Sequence, residues 1–243
     1  MNRSGIYGDL IFESIKVEGL VPKYLDLHYK RLAKGIKVLK FVPEGFDFDL
    51  FEYEILMAVK KYRENKPISD ENLRVRFVVF REANGFYLPD SNRMNYEVEV
   101  FPIPPYDYGS REVRVYPDQR KAPGVLANIK TGYALIYVMA KIWAQERGLF
   151  DALILNTNGN IIESSSSNIF WEECDYKTNK RQWYTPPLSD GCVEGVMREV
   201  FMKTHSVIEK SCVLSDIINA EELLLTNAIR ERWTVDHYEI LGS

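Results

Sequence analysis

Pro102, Pro104 and Pro105, followed by Tyr106-Asp107-Tyr108-Gly109, interrupt the chain near its middle and split its hydrophobic patterning into two halves. Proline fixes φ and removes a backbone donor, so neither a helix nor a central strand runs through such a stretch. A linker here predicts two domains, residues 1–104 and 105–243. In the first half, residues 11–17 alternate like a strand, and residues 24–39 and 49–63 carry the apolar stripe of helices. Residues 73–80 and 95–103 read as strands, with Asn84-Gly85 as a turn between them. In the second half, a strand over 111–116 precedes a helix over 131–147, stopped by Gly148. Asn158-Gly159 turns a hairpin between 152–155 and 161–163. A strand over 169–171, a helix over 195–205 and a strand over 222–226 follow. Strands and helices mixed in two blocks imply an α+β or α/β protein.

The 243 residues are 46% apolar, enough for a substantial core, and the net charge of −4 carries no basic stripe that would favour nucleic acid. No apolar run approaches the roughly 18 residues that cross a bilayer, so no membrane partner is expected. The opening Met1-Asn2-Arg3-Ser4-Gly5 lacks an apolar core, which predicts no signal peptide. Cys174, Cys192 and Cys212 show no CxxC spacing, and His28, His205 and His237 are far apart in sequence. Reduced thiols in a cytoplasmic protein without a metal site fit this usage.

Taken singly, the chemically suggestive residues are ordinary. Lys130 reads as a solvated charge, Glu163-Ser164-Ser165-Ser166-Ser167-Asn168 as a polar loop, and Gly195-Val196-Met197-Arg198 as a helix start. Their order along the chain says more. Tyr7-Gly8-Asp9-Leu10-Ile11-Phe12-Glu13-Ser14 is followed by His28-Tyr29-Lys30-Arg31-Leu32 and by Asn128-Ile129-Lys130-Thr131. Asp151-Ala152-Leu153-Ile154-Leu155, Gly159-Asn160-Ile161-Ile162-Glu163 and Ser167-Asn168-Ile169-Phe170 come next. Tyr184-Thr185-Pro186, the 195–198 segment and Leu225-Thr226-Asn227-Ala228 complete the series. Together these segments resemble the class IV aminotransferases, a group that includes branched-chain and D-amino-acid aminotransferases and aminodeoxychorismate lyases.

The resemblance implies the fold-type IV architecture, an α+β arrangement of a smaller N-terminal α/β domain and a larger C-terminal pseudo-barrel domain carrying the cofactor lysine. It implies pyridoxal 5′-phosphate between the two domains and a homodimeric assembly. By the same resemblance Lys130 holds the cofactor as a Schiff base and then moves protons at the substrate carbon. Glu163 is the carboxylate that keeps the pyridine nitrogen protonated. Arg31, the backbone amides of Val196 and Met197, the Thr226 hydroxyl and the neighbouring Asn227 are the implied phosphate and cofactor contacts.

The chain also departs from the pattern. Leu10 stands where the family has glycine, Met197 where threonine is frequent, and Glu231-Arg232 where glycine often falls. The opening segment before Tyr7 is shorter than usual, which implies a trimmed small domain. Branched-chain enzymes read Phe-Glu-Gly where this chain has Phe12-Glu13-Ser14, and residues 82–88 lack the Arg and His of D-amino-acid enzymes. A 4-amino-4-deoxychorismate lyase is therefore the leading expectation, with an amino-acid aminotransferase close behind. A cofactor-binding or scaffold protein that has lost catalysis is the reading from another class, disfavoured by intact Lys130, Glu163 and Arg31.

Overall fold

Alternating apolar side chains shape the opening sheet of the computed structural model, which describes residues 3–64, 72–105 and 109–238. A short helix α1 (Arg3–Tyr7) leads into strands β1 (Leu10–Glu18) and β2 (Val21–Pro22). Helices α2 (Leu25–Val38) and α3 (Phe48–Glu64) precede strands β3 (Leu73–Arg81) and β4 (Met94–Pro102). The sheet order is β2-β1-β3-β4, antiparallel throughout. Strand β3 buries Leu73, Val75, Phe77 and Val79 and leaves the residues between them half-buried, so one sheet face is core. Helices α2 and α3 cover that face with Leu32, Ile36, Phe51, Ile55 and Val59, which join Ile11, Ile15 and Val17. Phe77 anchors the aromatic part of this core, 4.8 Å from Phe51 and 5.4 Å from Tyr96 between ring centroids.

Glu13 breaks the alternation of β1. It shares the apolar face with Ile11 and Ile15 and is only 1% exposed, a costly place for a carboxylate without partners. Helix α2 supplies them. Arg31 donates from Nε to Oε1 at 2.8 Å and from Nη2 to Oε2 at 2.5 Å, and His28 Nδ1 lies 2.7 Å from Oε2. The three-residue spacing of His28 and Arg31 puts both on one helix face. Burial alone would raise the Glu13 pKa, but the Arg31 guanidinium and the hydrogen bonds from Arg31 and His28 hold it at about 2. Burial pushes His28 below its ordinary value, and the Glu13 carboxylate offsets this only in part. The neutral ring therefore gives its Nδ1 hydrogen to Glu13.

The chain separates into two compact units, Met1–Pro105 with Ile129–Tyr133, and Tyr106–Asn128 with Ala134–Ser243. The second unit holds β5 (Glu112–Val115), α4 (Leu135–Glu146), β6 (Asp151–Leu155), β7 (Ile161–Ser164), β8 (Asn168–Asp175) and β9 (Lys180–Thr185). Then come α5 (Val196–Thr204), β10 (Val207–Glu209), α6 (Leu214–Ile218), β11 (Glu222–Asn227), β12 (Glu231–Thr234) and β13 (His237–Tyr238). Two sheets form, ordered β10-β9-β8-β11-β12 and β13-β5-β6-β7. Ile169, Trp171, Leu223 and Leu225 of the first share a core with Val113, Leu153 and Ile161 of the second. Helix α4 packs Ile136, Ala140 and Ala144 against Ala152, Ile154 and Ile162. Covered on both faces, β6 reads as an apolar run rather than an alternation.

Two expectations change in detail. The helix expected over 131–147 begins at Leu135, because residues 129–133 pack with the first unit. There Phe12 N–H donates to Lys130 O and Gly132 N–H to Leu10 O, both at 2.9 Å. Strand β2 pairs only with Val17 and Glu18 on that edge of β1, which leaves the edge at Leu10–Phe12 for this segment. Lys130 thus follows the proline-rich stretch in sequence but packs with the N-terminal sheet. A Cβ on Gly132 would come within 2.7 Å of Leu10 Cγ, so glycine is needed under that leucine. Of the expected linker, Tyr106-Asp107-Tyr108 lies outside the described residues.

Phe77→Ala opens a cavity in the aromatic core and lowers unfolding free energy by about 3–5 kcal/mol, read as a shift in the urea midpoint at unchanged slope. Acid has its own signature in the Glu13 pair. Glu13 contributes stability while ionised, so its contribution is full above pH 4.5 and is lost as pH falls toward about 2. The loss amounts to roughly 3 kcal/mol. His28 acts in the same direction from higher pH, because an unfolded histidine gains its proton near pH 6.5 while the buried ring stays neutral. Denaturant titrations between pH 7 and 3 should show a steep acid limb that flattens in Glu13→Gln; parallel curves would remove Glu13 as its source.

Candidate active site

Each unit carries its own cluster of the residues singled out from sequence. In the first, Lys130 is half-buried with Nζ 4.5 Å from the centroid of the Phe12 ring. Phe12 adjoins Glu13 on β1, and Glu13 holds the planar fork of Arg31 by two hydrogen bonds. His28 Nε2 is buried with no hydrogen-bond partner. With Nδ1–H committed to Glu13, that nitrogen is an acceptor awaiting a donor. The Glu13 and His28 contacts were invisible in the sequence beyond their place in the matching segments.

In the second unit, Glu163 lies on β7 and is 3% exposed. Its Oε1 accepts from Lys121 Nζ and from the Tyr137 hydroxyl, each at 2.8 Å, and its Oε2 accepts from Val193 N–H at 2.9 Å. Burial first, then the Glu163 charge, raises the Tyr137 phenol well above its ordinary value of 10.0, so Tyr137 is a neutral donor. A carboxylate has about four lone-pair positions. Three are taken here, and the open one is on Oε2. Sequence reading passed over Lys121 and Tyr137, since neither carries a motif.

The serine run after Glu163 has a structural task. Ser164 and Ser166 donate their hydroxyls to Asp151 Oδ2 at 2.9 and 2.8 Å, and Ser165 donates to Oδ1. Asp151 is fully buried on the neighbouring β6. This knot fixes the backbone that follows Glu163.

Val196 and Met197 open α5, and their buried positions place the first free N–H groups of a nine-residue helix inside the unit. No side chain caps this end; the N-cap is Gly195. A Cβ there would overlap Asn168 Oδ1, and Asn168 is itself tied by Nδ2 to Val193 O at 2.8 Å. Asn168 faces Thr226 across the β8–β11 ladder. Thr226 is 1% exposed, and its Oγ1 has no hydrogen-bond partner. An orphaned hydroxyl near an uncapped helix start is the donor set a phosphate takes. Asn227 does other work, with Nδ2 donating to Ser166 O at 3.2 Å and Ser167 Oγ at 3.1 Å while Oδ1 accepts from Ile229 and Arg230 N–H.

Residues 10–238 match the family model of amino-transferase class IV. An aminodeoxychorismate lyase of Bacillus subtilis is 24% identical, covering 93% of this chain and 76% of the relative. A Methanocaldococcus jannaschii protein, provisionally named a branched-chain-amino-acid aminotransferase, is 27% identical over 98% of this chain and 80% of its own. The crystal structure of 4-amino-4-deoxychorismate lyase from Pseudomonas aeruginosa superposes with a TM-score of 0.80 at 21% identity, covering 98% and 86% of the two chains. That likeness extends to the whole α+β, fold-type IV architecture. A match across nearly the entire chain leaves one conclusion: the protein belongs to the class IV aminotransferase family, whose enzymes are pyridoxal-phosphate-dependent aminotransferases and lyases.

Proposed function

We propose that this enzyme holds pyridoxal 5′-phosphate on Lys130 and acts on a small amino substrate, with 4-amino-4-deoxychorismate as the leading candidate. The observation that carries the cofactor reading is Glu163, a buried carboxylate whose one open acceptor position on Oε2 suits a protonated ring nitrogen. Bound pyridoxal phosphate supplies an electron sink for charge that develops at the substrate carbon next to nitrogen. The chain does the rest. Lys130 offers its amine to the cofactor aldehyde and afterwards carries a proton to or from the substrate carbon. Val196 and Met197 N–H and the Thr226 hydroxyl bind phosphate, and Arg31, aligned by Glu13, is assigned to the same anion. Asn227 keeps the end of β11 in place through the Ser166–Ser167 turn.

Phe12-Glu13-Ser14 in place of Phe-Glu-Gly supports the lyase, as does the Bacillus subtilis relative of that name. The reaction would release pyruvate and 4-aminobenzoate. The Methanocaldococcus jannaschii relative supports the second reading, transamination of an amino acid. The assembly and place assigned to the enzyme are a homodimer in the cytoplasm; among the described residues no helix is long and apolar enough to cross a membrane.

Two measurements test these assignments. Incubation with aminodeoxychorismate should yield pyruvate and 4-aminobenzoate, and Lys130→Ala should lose that turnover while keeping its fold and phosphate-mediated cofactor affinity. Amino-group exchange between amino acids and 2-oxoacids without pyruvate release would select the second reading; a Lys130→Ala rate near wild type would overturn the lysine assignment. Thr226→Val preserves shape but removes the orphaned hydroxyl. Loss of one hydrogen bond to a charged group, about 1.5–3 kcal/mol, should weaken cofactor binding roughly 10- to 100-fold by titration of the cofactor-free protein. Unchanged affinity would place the phosphate elsewhere.

A further inference from the structure

Lys121 precedes α4 on a stretch joined to β6, with its N–H donating to Leu155 O at 2.9 Å. Its side chain is 13% exposed, and its ammonium is fully used. The three N–H groups go to Ala127 O at 2.9 Å, the Tyr137 hydroxyl at 2.6 Å and Glu163 Oε1 at 2.8 Å. A lysine saturated in this way is not a spare surface charge. Around Glu163 the other contacts are neutral. Tyr137 is an un-ionised phenol, Val193 gives a peptide N–H, and burial together with the Glu163 charge pushes the nearby Cys192 thiol up to about 12. Among the described residues Lys121 is the one cation within ion-pair distance of Glu163.

We propose that Lys121 is a positioning residue, the resident counter-ion of Glu163, which with Tyr137 occupies Oε1 so that the cofactor-free protein stays folded and Oε2 alone is left for the cofactor nitrogen. The proposal rests on the reading of Glu163 as the partner of that nitrogen. Removing one member of a buried ion pair leaves an uncompensated charge, which is strongly destabilising. The cofactor's own ring cation compensates that charge when bound. Lys121 therefore matters most when the cofactor is absent, and a residue that merely packs would matter equally in both forms.

The test is the melting temperature of the cofactor-free and the pyridoxal-phosphate-loaded protein for wild type, Lys121→Met, Lys121→Arg and Tyr137→Phe. Lys121→Met should lower the cofactor-free midpoint by roughly 10 °C and the loaded midpoint by less than half as much. Lys121→Arg, which keeps the charge, should restore most of the difference. Tyr137→Phe keeps the ion pair and loosens its seat, so it should show a smaller effect with the same asymmetry, which keeps the test alive if Lys121→Met does not fold. Equal losses in both forms, or no loss in either, overturn the proposal. Glu163→Gln separates it from the reading beneath it. If Lys121→Met no longer discriminates between the two forms in a Glu163→Gln background, the pairing stands. If Glu163→Gln alone leaves kcat and the loading shift at wild-type values, the cofactor role of Glu163 fails, while the pair still registers in the cofactor-free melt.

Discussion

A charge taken out of water must be answered by protein, and the three most deeply buried carboxylates among the described residues impose that demand on this fold. Glu13, Asp151 and Glu163 all sit on strands, at 1%, 0% and 3% exposure, where an unpartnered ion would cost several kcal/mol or more. Each is answered differently. Glu13 takes an arginine fork and a neutral imidazole from one face of α2. Asp151 takes three serine hydroxyls and the Ala152 N–H, with the Lys141 ammonium 3.8 Å from Oδ1. Glu163 takes an ammonium, a phenol and a peptide N–H. The secondary structure around them is arranged to deliver those partners, so segments that look like connections are fixed by electrostatics as well as by packing.

The same demand explains which parts could be read from sequence. Helices α2 and α3 and strand β3 were legible, because burial on one face writes a period of 3.6 or 2 into the apolar residues. Strand β9 was not. Its Lys180-Arg181-Gln182 start is polar, and its apolar part is the adjacent pair Trp183-Tyr184, each packed on a different cluster and too short to write a period into the sequence. Among candidate site residues, Lys130, Arg31, Glu163, Thr226 and the start of α5 were singled out by order along the chain. Lys121 and Tyr137 were not, because a lysine nine residues before Lys130 and a tyrosine seven after it become neighbours only once β6, β7 and α4 are assembled.

Departures from the family pattern gain physical meaning in the fold. Leu10 fills the space over Gly132, so the leucine and that glycine form one packing unit. Glu231, standing where glycine is frequent, takes φ 65°, a left-handed conformation that side chains adopt at a cost and glycine adopts freely. The turn between β11 and β12 keeps its shape through Asn227 Oδ1, which accepts the Ile229 and Arg230 N–H groups, instead of through glycine.

The chain passes between its two units at 105/106, 128/129 and 133/134, and this limits how the molecule can be divided. Residues 129–133 complete the edge of β1 that β2 leaves open, with the Phe12 N–H and the Leu10 carbonyl paired to them. A fragment ending at the proline-rich stretch would keep the sheet, both helices and the Glu13 network, yet expose that edge as a template for foreign strands. The linker is thus one boundary between the units but not the last, because the chain returns to the first unit at residues 129–133. A nick within it would leave the two pieces tethered by the crossing that carries Lys130, and a domain swap or transplant would have to take the lysine loop along with the N-terminal sheet.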